Sequence, residues 1–148
     1  MKRRTFCFGA ALLTLLASPL RAVAAPTKAI LYKNPQCGCC EGYAAYLRQN
    51  GFEVDVKPTN DLAEISQKAG VPEKYQGCHT TLVDGYVVDG HVPIEIVRKL
   101  LTERPAIAGI TLPGMPTGSP GMTGEKTQPF VIYAVTKDGK EPTVYATV

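Results

Sequence analysis

Apart from Phe6 to Leu16, the chain has no apolar run approaching the roughly 20 residues that cross a bilayer, and that one is too short. No membrane insertion is expected. There is no internal repeat and no low-complexity tract, so repeat architectures are set aside. The carboxylates are scattered and form no credible acid–base pair. A basic excess is lacking too. Four of the 16 Lys and Arg (Lys2, Arg3, Arg4, Arg21) lie in the first 25 residues, leaving 12 basic against 13 acidic side chains and a formal balance of −1. Nothing in that balance supports nucleic-acid binding. Methionine is scarce: of three, one is the initiator, and the other two, Met115 and Met122, fall in one Gly- and Pro-rich segment.

What is present begins with an address. Lys2, Arg3 and Arg4 form a basic start, the apolar stretch follows, and Ala22-Val23-Ala24 is a cleavage signature, so residues 1–25 read as a signal peptide that is removed. Arg3-Arg4 with Phe6 resembles a twin-arginine signal, and an ordinary secretory signal explains the same residues. Either route exports the protein, and the periplasm is the expected location. Cys7 leaves with the signal. Residues 26–148, about 123 residues, suffice for one domain with one core and are too few for two.

Hydrophobic periodicity orders that domain. Lys28 to Lys33 reads as a buried strand, broken by Asn34-Pro35. Tyr43, Ala44, Tyr46 and Leu47 recur at helical spacing, with Asn50-Gly51 as the stop. Phe52 to Lys57 alternates as a second strand. Asp61 to Ala69 is a helix with Leu62, Ile65 and Ala69 on one face. Thr80 to Val83 and Tyr86 to Asp89 flank Asp84-Gly85, the signature of a two-residue hairpin. Pro93 suits the first turn of a helix through Ile94, Ile96, Val97, Leu100 and Leu101. Gly109 to Gly124 reads as a structured loop, and strand character resumes at Phe130 to Thr136 and Thr143 to Val148. The order predicts an α/β, thioredoxin-like fold: a central mixed sheet flanked by helices, with a C-terminal β extension.

The cysteines carry the chemistry. Cys37-Gly38-Cys39-Cys40 holds a C-x-x-C pair with a further thiol inside it, and Cys78 is followed directly by His79. A C-x-x-C alone serves a redox pair or half a metal site. The third sulfur favours metal, because a dithiol exchanger needs only two, and soft thiolates with an imidazole suit copper(I) or zinc. Adjacent Cys39 and Cys40 bridge poorly. A cysteine at a helix start has its thiolate favoured, which makes Cys37 the expected reactive sulfur and Cys40 its partner one turn on. Cys39 can extend a metal cluster or pair with Cys78. In a thioredoxin-like fold the loop before the hairpin packs on the C-x-x-C and usually carries a cis-proline. Here that stretch is Gly77-Cys78-His79-Thr80, which would bring Cys78 against the other three sulfurs. His79, as a strand neighbour of Cys78, would point to the opposite face as readily as to the site. His91 reads as a loop histidine or a further ligand. Met115 and Met122 offer thioethers suited to copper(I) or simply fill gaps.

The run YKNPQCGCC, the segment CHTTLVDGYVVDGHVP and the loop PGMPTGSPGM together resemble the CopG-type periplasmic copper-resistance proteins, over roughly Ala29 to Met122. The resemblance implies a thioredoxin fold that binds copper through Cys37, Cys39, Cys40 and Cys78, and copper- or thiol-linked redox chemistry in resistance. It implies copper ions as partners, and other periplasmic copper-handling proteins. Two other readings stand beside it. One is a thiol–disulfide oxidoreductase in which Cys37 attacks and Cys40 resolves. The other is structural zinc, which the crowding of three ligands into four residues disfavours.

Overall fold

The computed structural model describes residues 25–148, so the expected signal peptide lies almost wholly outside the described residues. Its strands are β1 (Thr27–Lys33), β2 (Phe52–Pro58), β3 (His79–Val83), β4 (Tyr86–Asp89), β5 (Gly109–Thr111), β6 (Val131–Val135) and β7 (Thr143–Thr147). Its helices are α1 (Gly38–Gln49), α2 (Leu62–Lys68) and α3 (Ile94–Glu103). The strands form one seven-stranded mixed sheet in the order β2-β1-β3-β4-β5-β6-β7. β1 runs parallel to β2, and β4 to β5; the remaining neighbours are antiparallel. Among the described residues no helix is long and apolar enough to cross a membrane.

One face of the sheet is closed by α1 and α3. Cys40, Tyr43, Ala44 and Leu47 recur at the spacing of one helical face and are buried, as are Ile96, Val97 and Leu100 of α3. They pack on Ala29, Leu31, Val54, Val83 and Val88. The opposite face is only partly covered, so β1, expected as a buried strand, is buried on one face only. Its residues alternate, and Ile30 is 38 % exposed. α2 lies on this second face, but not as its apolar pattern suggested. Leu62, Ile65 and Ala69 are only half-buried, while the fully buried side chain is Ser66, whose hydroxyl meets Thr80 Oγ1 at 2.5 Å.

The hairpin forms as read, with Asp84 at φ 48° and Gly85 at φ 83°, both positive as a primed turn demands. Pro93 caps α3 from just outside it. β5 was not legible, because Gly109 looks like loop. It is a strand residue because a Cβ there would stand 1.9 Å from the Val87 carbonyl oxygen, so only glycine lets β4 and β5 pair this closely. β5 carries the C-terminal β-ribbon onto the same sheet, so the extension continues the core.

Candidate metal centre

The site forms where β1 delivers the chain to α1. Cys37 is the residue before the helix, in extended conformation, and its N–H donates to the Asn34 carbonyl at 3.0 Å. Its side chain does not cap the helix. It is joined instead to Cys40 in a disulfide, the oxidised form of the C-x-x-C pair. Cys40 is fully buried, while Cys37 and Cys39 are half-buried. Cys37 is therefore the more accessible member of the pair.

Cys78 completes the group. Cys39 Sγ lies 3.4 Å from Cys37 Sγ and 3.7 Å from Cys78 Sγ, and Cys40 Sγ lies 3.6 Å from Cys78 Sγ. The four sulfurs all fall within 4.8 Å of one another. Sulfurs bound to one metal at about 2.3 Å stand about 3.8 Å apart; these three edges lie near that spacing, and reduction of the Cys37–Cys40 disulfide would free all four sulfurs as donors. Burial, then the neighbouring Cys39, pushes the Cys78 thiol up to about 12. A free thiolate is thus disfavoured, and a bound cation is what would deprotonate it.

The loop before β3 holds Cys78 in place without a proline, and the described residues have no cis peptide. Gly77 N–H donates to Asp89 Oδ1 at 2.5 Å, and Thr80 Oγ1 donates to Asp89 Oδ2 at 2.7 Å. Asp89 is completely buried, and burial raises its pKa to about 6. Sequence reasoning passed over it, as it had dismissed the carboxylates as scattered. The available signal was an acid closing the apolar run Tyr86-Val87-Val88, all of which is buried.

Both histidines face the site. Cys78 sits in a bend ahead of β3, so strand alternation does not separate it from His79, whose Nδ1 lies 3.5 Å from Cys78 Sγ. His79 is fully buried between Tyr43, at 4.5 Å between ring centres, and His91, at 4.7 Å; its Nε2 has no hydrogen-bond partner among the described residues. Burial, and then the neighbouring His91, holds its pKa down at about 3. His91 is buried rather than an exposed loop residue. Its Nδ1 meets the Pro120 carbonyl oxygen at 2.6 Å. A carbonyl can only accept, so Nδ1 carries the proton and Nε2 presents a lone pair 3.0 Å from Cys78 Sγ. Such a partner on the far nitrogen is how proteins orient a ligating imidazole. Cys78, His79 and His91 form a second group of donors within 4.8 Å.

The Gly/Pro loop therefore reaches the site through a backbone carbonyl. Met115 is 57 % exposed, one residue beyond the Gly77–Gly114 bridge, and Met122 is half-buried in the turn closed by its N–H to Ser119 O at 2.9 Å.

Asp89 and His79 oppose each other in their response to acid. The raised Asp89 pKa means the folded state holds a proton that the unfolded state releases between about pH 3.8 and 6, favouring the fold on the acid side. His79 does the reverse, since between about pH 6.5 and 3 only the unfolded state is protonated. Replacing Asp89 with Asn removes the offset. The stability of the metal-free variant should then fall more steeply than wild type, by about 1.4 kcal/mol per pH unit on acidification from pH 6 to 4, measured by urea denaturation across that range.

Two solved structures, both titled copper resistance protein copG (form 1 and form 2), are 35 % identical to this chain, with a TM-score of 0.76 for each. In each case the match covers 83 % of this chain and 98 % of the other. The chain belongs to the CopG copper-resistance family. A family described as a protein of unknown function, DUF411, also matches residues 75–122, which run from just before Cys78 to Met122. No curated protein matches. The CopG match embraces both the cysteine run and the Cys78 loop, so the convergent sulfurs sit inside the shared fold.

Proposed function

We propose that the protein is a periplasmic copper-binding protein of copper resistance that holds several copper(I) ions as cargo, bridged by the thiolates of Cys37, Cys39, Cys40 and Cys78. The observation that carries the reading is the meeting of four sulfurs within 4.8 Å, with His91 Nε2 turned onto Cys78. The donor set fits the ion: soft, polarisable sulfur is what copper(I) prefers, and each thiolate can bridge two ions in a crowded group. His91 is the foremost additional ligand, followed by His79. Residues 1–25 act as the export signal, and 26–148 are the working domain.

The strand order β2-β1-β3-β4, with α1 after β1 and α3 after the hairpin, supports reading this domain as thioredoxin-like. On that scaffold the Cys37–Cys40 pair gives the site redox capacity. Two copper(II) ions each gain one electron as the two thiolates join in a disulfide, leaving two copper(I) ions for the remaining sulfurs or for a copper-handling partner. The second reading is a thiol–disulfide oxidoreductase, and the Cys37–Cys40 disulfide is the observation in its favour.

Anaerobic titration of the reduced protein with copper(I), with metal and free thiols counted together, separates the two. More than one copper per chain is expected, falling to one or none in the Cys37→Ser/Cys40→Ser variant. Absence of tight copper uptake, with ready disulfide exchange on a substrate protein, would establish the oxidoreductase instead.

A further inference from the structure

The most buried position of α2 holds a serine, although the helix has apolar residues to offer. Ser66 is buried, and so are the two polar side chains it leads to, Thr80 and Asp89. Burying two hydroxyls and a carboxyl costs free energy that alanine and valine would not, so packing alone does not explain the choice. The contacts run in one direction. Thr80 Oγ1 has a single proton and donates it to Asp89 Oδ2 at 2.7 Å. The 2.5 Å contact between Ser66 Oγ and Thr80 Oγ1 is therefore made by Ser66 donating, with the Leu62 carbonyl at 3.0 Å as its competing acceptor. Asp89 then grips both sides of the Cys78–His79 dipeptide. Its Oδ1 accepts from the Gly77 N–H at 2.5 Å, and its Oδ2 accepts from the Thr80 hydroxyl. Gly90, the next residue after Asp89, adds its N–H to the His79 carbonyl at 2.9 Å.

We propose that Thr80 is a positioning residue for the metal centre: braced by Ser66 of α2, it orients the Asp89 carboxyl group, which fixes the turn that carries Cys78. The donors are thus held from both faces of the sheet, the cysteine run by α1 and Cys78 through the polar relay from α2. Without the Thr80 hydroxyl the Asp89 carboxyl group is free to turn, and the short bond from Gly77 is lost. Cys78 has little room for such a shift. It meets Cys39 at 3.7 Å, Cys40 at 3.6 Å and His91 Nε2 at 3.0 Å, and each spacing depends on that turn. The inference deepens the reading of this site as a copper–thiolate centre and rests on it for the effect on affinity.

The test has a metal-free arm and a copper arm, so that the two readings fail separately. In the metal-free protein, NMR follows the Gly77 amide. Thr80→Val should move its proton upfield and speed its hydrogen exchange about tenfold, while Thr80→Ser, which restores the hydroxyl, should keep both near wild type. Copper(I) affinity, measured by chelator competition, should fall about tenfold in Thr80→Val and stay within about threefold of wild type in Thr80→Ser. Ile132→Val, a buried change on β6, serves as the control for general loss of stability and should leave affinity unchanged. A folded Thr80→Val protein with the wild-type Gly77 amide or wild-type affinity overturns the proposal, as does an equal loss in Ile132→Val. If Thr80→Val does not fold, Ser66→Ala decides, with about threefold changes in the same directions expected and none overturning the proposal. If the wild type takes up no copper(I), the copper reading falls, and the Gly77 amide alone decides whether Thr80 positions Cys78.

Discussion

Cys78→Ser should lower copper(I) affinity by more than about 100-fold, since even the outer partners of metal ligands are commonly worth 10–100-fold. Cys78 is the sulfur that joins the two donor groups: it stands 3.7 Å from Cys39, 3.6 Å from Cys40 and 3.0 Å from His91 Nε2. Serine keeps the shape and replaces a soft donor with a hard one, which copper(I) binds poorly. The side chain is only half-buried and a hydroxyl can still donate to His91, so stability should change little. Competition against a chromophoric copper(I) chelator measures the affinity, and urea denaturation checks the fold. An affinity within threefold of wild type would remove Cys78 from the ligand set.

Gly121→Ala should destabilise the metal-free protein by about 3 kcal/mol, from backbone strain and overpacking together. Gly121 has φ +82°, and a Cβ there would stand 2.5 Å from Tyr43 N and 2.8 Å from Gly42 C. Both are backbone atoms of α1 and cannot step aside. Gly42 meets Gly121 from the other side, with a Cβ position 2.8 Å from Gly121 O. The two glycines together seat the loop on the helix, next to the Pro120 carbonyl that orients His91. Lifting the loop should therefore also cost about tenfold in copper(I) affinity. Gly139→Ala is the control: φ there is +71° with nothing within 4 Å of the Cβ position, so only the conformational cost of about 1 kcal/mol remains. Equal losses at the two positions would show that the loop's seat on α1 contributes nothing.

The difference between those glycines shows how much of the molecule was legible beforehand. In the sequence, Gly42, Gly109 and Gly121 look like any glycine. Their meaning depends on which backbone lies opposite, and that follows from topology. The loop from Gly109 to Gly124 hid a strand for this reason, and α2 hid its polar anchor at Ser66, because burial of a hydroxyl depends on a partner such as Thr80. Apart from the apolar face of α2, patterns that depend only on near neighbours read correctly. The helical face Tyr43-Ala44-Leu47, the Asp84-Gly85 turn and the start of α1 beside Cys37 are examples.

The same division runs through the site. Sequence alone determined that the chain carries a C-x-x-C with a third thiol and a distant cysteine followed by histidine, because identity and spacing need no fold. With those motifs came the family likeness, later upheld by structures 35 % identical over most of both chains. Tertiary structure alone decided that His79 and His91 are both buried against Cys78, that Pro120 turns His91 Nε2 toward the sulfur, and that Asp89 holds the turn carrying Cys78. The physical reason is range. Periodicity and turn preferences act over a few residues. The lone pair of an imidazole and the partner of a buried charge are set by backbone groups 12 to 29 residues away, which only the packed sheet brings within reach.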